Sequence, residues 1–150
     1  MAPSINIVAA VNDEIVLNEN LKRSPLLANG TIPLLELRNQ QSASKAYNVG
    51  LDATSHEILV FAHQDVYLHA PWLDNLLAAI STLERQQPRW GVIGLFGVTA
   101  TGQAVGHVWS SGIGRELGAA FAAPIEAVSI DEMVIVLRRA SGLRFDESLA

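Results

Sequence analysis

Short apolar runs alternate with amphipathic segments along the first two thirds of the chain. The apolar runs predict strands at Ile5–Val11, Thr31–Leu37, Glu57–His63 and Gly91–Val98. The amphipathic segments predict helices at about Glu14–Leu27, with a break or kink at Ser24-Pro25, at Ser42–Thr54, and after Pro71, where the apolar stripe is Leu73, Leu76, Leu77, Ile80 and Leu83. Alternating strands and helices predict a mostly parallel sheet with helices on its faces.

The pattern changes after Val98. The segment Thr99–Gly118 is rich in glycine and predicts loops with a short hairpin around Val105–Trp109. A strand pattern resumes at Ile130–Leu137. We therefore predict an α/β fold with late mixed or antiparallel elements. No linker or repeat divides the chain, so residues 1–150 are predicted to form a single domain.

Composition narrows the functional classes. The chain has 150 residues, no cysteine and a formal net charge of −5, which excludes disulfides and thiolate zinc sites and disfavours nucleic acid as a partner. The longest apolar runs are too short to cross a bilayer, so no membrane span is expected. The first residues lack the pattern of a signal peptide, and we expect a cytoplasmic location.

The junction after the first strand carries polar residues without glycine. It reads Val11-Asn12-Asp13-Glu14, which excludes a glycine-rich dinucleotide turn and a P-loop. Asn12 and Asp13 can accept hydrogen bonds from a base or ribose, or they can cap the following helix. Both interpretations stay open at this point.

The third strand ends in His63-Gln64-Asp65. Side chains alternate along an extended segment, so we expect His63 and Asp65 to point to one side and Gln64 to the other. Ligands of open parallel sheets collect beyond the carboxyl ends of the strands, and a carboxylate at that edge can hold Mg²⁺ or Mn²⁺ on a diphosphate. The alternative is a loop aspartate that accepts a hydrogen bond from its own backbone.

One further feature points to the same edge, and another places carboxylates at the start of a strand. The helix that starts near Ser42 presents its N-terminus there, which favours an anion, and Lys45 in its first turn suits a phosphate or is a solvated surface residue. Asp131-Glu132 places two carboxylates at the start of the last strand, where they act in catalysis or acceptor binding or are simply exposed. No Gly-x-Ser-x-Gly motif supports serine hydrolase chemistry.

Taken in order, several segments resemble family 2 glycosyltransferases of the GT-A fold, nearest to a bacterial group of capsule and antibiotic-sugar transferases. The matching segments are Ile7–Glu14, Ala46–Leu51, Leu59–Val66, Val136–Arg139 and Phe145–Glu147. The resemblance implies a Rossmann-like nucleotide-binding half. It also implies a metal-assisted transfer of sugar from a nucleoside diphosphate sugar to the hydroxyl of a saccharide or another acceptor.

The resemblance assigns roles residue by residue. It places the nucleotide on Asn12, Asp13 and Asn39, and we add Lys45, Asn48 and Gln64 to the predicted nucleotide-sugar-binding set. It places a divalent metal on Asp65. His63 stands where the family has the first aspartate of its Asp-x-Asp element, which shifts the expected metal from Mg²⁺ toward Mn²⁺. Tyr47 stands where the family often has arginine.

The resemblance departs from the family at the end of the chain. The catalytic aspartate of the family follows the Phe-Asp-Glu stretch, and this sequence stops three residues after Glu147. Asp131 is the candidate substitute for that base. Otherwise the chain is a fragment, or it is a non-catalytic module that binds nucleotide or a partner and buries exposed apolar surface as a homodimer. A nucleotidyltransferase is a weaker third interpretation, because the first loop lacks the expected glycines and basic residues.

Overall fold

The computed structural model describes residues 2–148. The strands are β1 (Ile5–Val11), β2 (Leu34–Arg38), β3 (Ile58–Ala62), β4 (Val92–Gly94), β5 (Phe96–Val98), β6 (Ala104–Ser110), β7 (Arg115–Ala119), β8 (Ser129–Ile130) and β9 (Val134–Arg138). The α-helices are α1 (Glu14–Glu19), α2 (Pro25–Ala28), α3 (Ala43–Ala53) and α4 (Trp72–Gln86), with 3-10 turns at Leu21–Arg23 and Arg139–Ser141.

Five strands form the main sheet in the order β2-β1-β3-β9-β4. The strands β2, β1 and β3 are parallel, whereas β9 runs antiparallel to both of its neighbours. The strand β2 lies at the edge of the sheet and starts at Leu34, directly after Pro33, because proline cannot donate a backbone hydrogen bond within a sheet. The predicted α/β class with a mostly parallel core is confirmed.

The main sheet is buried on both faces, because helices cover each side. Alternate residues of β1 lie in a core with α1, α2 and α4, while Val8 packs on the other face against α3. All five residues of β3 are buried, as expected for a central strand that is apolar throughout.

The helix predicted at Glu14–Leu27 is broken into α1, the first 3-10 turn and α2. The predicted break at Ser24-Pro25 is confirmed, since Pro25 opens α2. The chain breaks earlier as well, at Asn20, where the backbone leaves the helical region and the side-chain Nδ2 donates to the Val16 carbonyl at 2.8 Å.

Four short strands form a second sheet in the order β7-β6-β5-β8, and all of its pairs are antiparallel. We call residues 96–130 the second-sheet region. A hairpin is present in this region as β6 and β7, but the predicted residues Val105–Trp109 all lie within β6, and the turn follows at residues 111–114.

Two strand predictions were wrong in their extent. Gly91–Val98 is divided between β4 in the main sheet and β5 in the second sheet, and Ile130–Leu137 is divided in the same way between β8 and β9. The two sheets meet closely at Gly94: a Cβ atom on this residue would lie 2.6 Å from Cβ of Ile130. Because glycine has no Cβ atom, the two sheets can approach each other closely at the point where the chain passes from one to the other.

Candidate functional site

The carboxyl ends of β1, β2 and β3 lie side by side, because these strands are parallel neighbours. The start of β9 joins them, since β9 is antiparallel and pairs Val134 with Ala62. We call this boundary of the main sheet the carboxyl edge. Most of the candidate residues predicted from the sequence lie at this edge. They follow β1, β2 or β3 in the chain, or they precede β9.

Gln64 links the loops after β1 and β3. Its Oε1 accepts hydrogen bonds from the backbone N–H groups of Asn12 and Asp13, both at 3.1 Å, and its Nε2 donates to Oδ1 of Asn12. The backbone carbonyl of Gln64 accepts a further bond from Leu21 N–H at 3.4 Å. Two residues predicted to bind the nucleotide, Asn12 and Gln64, are therefore in direct contact.

Asp13 caps α1. Its Oδ1 accepts the backbone N–H groups of Ile15 at 2.9 Å and Val16 at 3.0 Å, which satisfies two of the free donors at the start of the helix. The capping interpretation is thus confirmed for Asp13. A contact between Asp13 and a nucleotide stays a prediction.

The residues after β3 form a turn, so the predicted alternation of side chains from His63 to Asp65 was wrong. The strand ends at Ala62, and the Val66 N–H donates to the His63 carbonyl at 3.2 Å. Asp65 is exposed at this turn. Within residues 2–148 its carboxylate makes neither a hydrogen bond nor an ion pair, unlike the backbone-bonded aspartate that the alternative interpretation required.

A charged network, which the sequence interpretation missed, lies at the end of β2. The Arg38 guanidinium donates from Nη2 to Oε2 of Glu14 at 3.0 Å and also bonds Glu36, which pairs with Lys22 at 2.7 Å. Hydrogen bonding to Arg38 holds the pKa of Glu14 below its ordinary value. Burial raises the pKa of Glu36, but hydrogen bonds from Lys22 and Arg38 outweigh it and the pKa is lowered.

This network could have been found from the sequence. Arg38 is the last residue of β2 and Glu14 follows β1 by three positions, so parallel pairing of the two strands brings them to the same edge. The next residue, Asn39, has a positive φ of 58°, a left-handed conformation that asparagine tolerates better than most residues. Asn39 is exposed beside Arg38 at the carboxyl edge.

The N-terminus of α3 lies at the same edge, since this helix follows β2. The Ser42 Oγ caps it by accepting the Lys45 N–H at 3.3 Å, and the Lys45 ammonium donates to the Gln41 side chain. Lys45 is half-buried. The structure therefore places a cation in the first turn of α3, beside the predicted nucleotide residues.

Asn48 is placed differently from the other predicted residues. Its side chain is 4% exposed, and its amide bonds both the N–H and the carbonyl of Phe145, at 3.0 and 2.9 Å, and the Glu147 carboxylate at 2.8 Å. The contacts that Asn48 makes in this structure are thus internal. They hold the Phe145–Glu147 stretch against α3, and a contact with nucleotide sugar stays a prediction.

The late arginine and phenylalanine residues that carried the resemblance have a packing role. Arg139 donates to the carbonyls of Leu51, Thr54 and His56, which closes the C-terminal end of α3. The Phe145 ring packs against Tyr47 and Phe61, with ring centroids 5.1 and 4.9 Å away.

Asp131 and Glu132 also lie at the carboxyl edge, where both are exposed. Asp131 Oδ1 accepts the Met133 N–H at 2.8 Å, and the Met133 carbonyl accepts the His63 N–H at 3.0 Å. The segment before β9 therefore adds two carboxylates to the edge that carries Asp65.

The charge of Glu132 also affects Tyr47. Burial, with a further contribution from the negative charge of Glu132, raises the pKa of Tyr47 to about 12.

Two absences bear on the site. Residues 2–148 contain no group of three or more His, Cys, Asp or Glu side chains arranged to hold a metal ion. Over the same residues, no helix combines the length and the apolar character needed to cross a bilayer.

The chain is similar to one protein family in sequence and to a solved glycosyltransferase in structure. Residues 6–127 match a family described as "Glycosyltransferase like family". No curated protein sequence matches. Among solved structures, the chain is similar to the mannosyltransferase PcManGT from Pyrobaculum calidifontis, solved in complex with GDP-Man and Mn²⁺, at 16% identity and a TM-score of 0.45. The likeness covers 66% of this chain and 36% of the mannosyltransferase, so this chain spans about a third of that structure.

Proposed function

Because the chain belongs to the glycosyltransferase-like family, we propose that its carboxyl edge binds a nucleoside diphosphate sugar and serves the transfer of that sugar to an acceptor hydroxyl. Family membership bears out the resemblance seen in the sequence. The donor, the metal and the acceptor belong to the proposal, as does the cytoplasmic location expected from the sequence. A homodimer belongs to the alternative of a non-catalytic module.

One observation carries the proposal: Asp65 lies exposed at the carboxyl edge, and no other residue of the described chain bonds its carboxylate. An aspartate in a loop usually accepts hydrogen bonds from nearby backbone. Asp13 and Asp131 do so here, with Ile15 and Met133 among their donors. Asp65 differs from both, and its free carboxylate supports a role toward a ligand.

The loops after β1 and β2 would hold the nucleoside. Asn12 and Gln64 form a hydrogen-bonded pair whose remaining amide groups suit a base or ribose. Asn39 and Arg38 bound the same edge at β2. The Lys45 ammonium and the N-terminus of α3 supply positive charge for the diphosphate.

A divalent cation fits the residues after β3 if the donor phosphates and water supply most of its ligands. Mg²⁺ and Mn²⁺ commonly bind one or two carboxylates and take the remaining ligands from substrate phosphates and water. Asp65 offers the carboxylate, and His63, half-buried two residues before it, is the second candidate ligand. When bound, the ion would neutralise charge that develops on the leaving diphosphate.

The transfer also needs a base for the acceptor hydroxyl. The hydroxyl oxygen attacks the anomeric carbon, the bond from that carbon to the diphosphate oxygen breaks, and the hydroxyl proton passes to the base. We assign this role to Asp131. One of its carboxylate oxygens accepts the Met133 N–H, and the other makes no hydrogen bond within residues 2–148, so it can take the proton.

Calorimetric titration with GDP, UDP and dTDP in Mn²⁺ tests the proposal. We expect at least one of these nucleotides to bind, and Asp65→Asn to weaken that binding by about tenfold or more, the equivalent of roughly 1.4 kcal/mol. The matched control is Asp52→Asn, which makes the same charge change at the C-terminal end of α3, where Asp52 pairs with Arg144 at 2.8 Å. No binding by any nucleotide, or equal loss in both variants, would contradict the proposal.

A further inference from the structure

The second-sheet region exposes a tryptophan. Trp109, in β6, is 65% exposed, whereas Trp72 and Trp90 are each 7% exposed. A ligand that covers an exposed indole removes its large apolar surface from water, which favours binding. Trp109 is thus an indole ring available to a ligand.

Polar side chains surround Trp109 on the same face of the sheet. His107 precedes Trp109 by two positions in β6, and Glu116 of β7 pairs with Trp109 directly across the strands. Side chains at such positions project to one face. His107 Nε2 lies 3.4 Å from Oε2 of Glu116, so the imidazole and the carboxylate sit together beside the indole.

The position opposite His107 is a glycine. Gly118 pairs with His107 across the strands and has a φ of +76°, a conformation that favours glycine. A Cβ atom on Gly118 would lie 1.9 Å from the Gly106 carbonyl oxygen, so backbone packing requires glycine here and no side chain stands opposite the imidazole. The result is a shallow surface with one aromatic ring, one imidazole and one carboxylate, which we call the Trp109 platform.

The platform belongs to a sheet that leaves the carboxyl edge. β5 begins two residues after β4 ends in the main sheet, and Asp131 N–H donates to the Phe96 carbonyl at 2.8 Å. The segment that carries Asp131 is therefore bonded both to the second sheet and, through Met133, to the turn after β3.

We propose that the Trp109 platform binds a pyranose ring of the acceptor saccharide, an inference that rests on the proposed function. A pyranose has C–H groups on one face, which suit stacking on an indole, and hydroxyls around its rim. The Glu116 carboxylate accepts hydrogen bonds from such hydroxyls, and the His107 ring can donate or accept one. A purely apolar partner would cover the His107–Glu116 pair without hydrogen bonding its remaining polar atoms, Nδ1 of His107 and the second carboxylate oxygen of Glu116, so a saccharide fits the platform better than an apolar surface of a second copy of the chain.

Quenching of tryptophan fluorescence by iodide tests the platform directly. Trp72 and Trp90 are shielded, so iodide reports almost entirely on Trp109. The probes are the methyl pyranosides of mannose, glucose and galactose, with sorbitol as an acyclic polyol that has no ring to stack. We expect at least one pyranoside to lower the quenching, by about half when its concentration equals its Kd, and sorbitol to have no effect.

Variants locate the effect. Glu116→Gln and His107→Ala keep the indole and should lose the protection by pyranoside. Ile113→Ala, an exposed apolar residue in the turn between β6 and β7, should keep it. The proposal is overturned if no pyranoside protects, if sorbitol protects equally, or if protection without sugar grows with protein concentration, which would mean that copies of the chain cover Trp109.

The outcome is separable from that of the proposed function. Trp109→Ala should leave nucleotide binding in the calorimeter unchanged, because Trp109 is not among the donor residues. Protection by a pyranoside without nucleotide binding would refute the donor site and leave a saccharide-binding surface. Nucleotide binding without protection would refute the platform alone.

Discussion

The two sheets use their apolar residues in opposite ways. In the main sheet the large side chains of β1 and β3 are shielded from water, and Ile7 and Phe61 are completely buried. The second-sheet region exposes large apolar side chains, namely Trp109, Ile113, Phe121, Ile125, Val128 and Ile130. The main sheet thus contains the residues on which folding depends, while the second-sheet region offers apolar surface to other molecules.

The largest effect should follow from emptying the core of the main sheet. Phe61 contacts the rings of Tyr47 and Phe145 and is completely buried, so Phe61→Ala removes packing on the α3 face. We expect the free energy of unfolding to fall by about 3–5 kcal/mol, measured by urea denaturation.

Val128→Ser makes a change in the second-sheet region that can be compared with Phe61→Ala in the main sheet. The Val128 side chain is 70% exposed. This change should alter the free energy of unfolding by less than about 0.5 kcal/mol. Comparable losses in the two variants would show that Val128 is covered in solution and that the two regions do not differ as described.

A loss smaller than that of Phe61→Ala is expected where the two sheets meet. Gly94→Ala places a Cβ atom 2.6 Å from Cβ of Ile130, so one sheet must shift against the other. We expect a loss of about 1–3 kcal/mol in the free energy of unfolding. The double variant Gly94→Ala with Ile130→Gly should recover part of it, because the colliding atom is gone. A double variant no more stable than Gly94→Ala would contradict this contact.

The smallest effect concerns acid stability, which should depend on the main sheet. The pKa values of Glu14 and Glu36 are lower in the folded chain than their ordinary values, so unfolded chains take up protons first as the pH falls. The stabilisation is present above the ordinary carboxyl pKa and is lost as the pH falls through the lowered values. Arg38→Gln should flatten the decline of stability between about pH 5 and pH 3.

Urea denaturation at several pH values measures that slope. Arg115→Gln in β7 is the control, since it removes an exposed arginine from the second sheet and leaves Glu14 and Glu36 as they are. An equal change of slope in the two variants would show that net charge, rather than the network around Arg38, sets the acid response.

The sequence predicted the main sheet well because its strands are short, apolar and bounded by polar residues. The observed β1 has the predicted bounds, and β3 differs from its prediction by one residue at each end. The divided strands were missed for a physical reason. Gly94 and Ile130 continue a strand pattern locally, and only their contact across the two sheets shows that the chain changes sheet there.

The candidate site was predicted in its location more than in its contacts. Parallel strands necessarily bring Asn12, Asn39 and Asp65 to one edge, and this could be inferred from the order of elements. The turn at His63 and the bond between Gln64 and Asn12 depend on long-range pairing, which local patterns do not encode. Asn48 illustrates the limit, since its three hydrogen bonds reach two residues, Phe145 and Glu147, that lie 97 and 99 positions away in the sequence.

The segment from Asp131 to Met133 forms a second connection between the two sheets, which also meet at Gly94 and Ile130. One of its ends is hydrogen-bonded to Phe96 in the second sheet and the other to His63, so two hydrogen bonds connect the second sheet to the turn that carries Asp65. A molecule bound to the β6–β7 hairpin would therefore be linked to that turn through this segment.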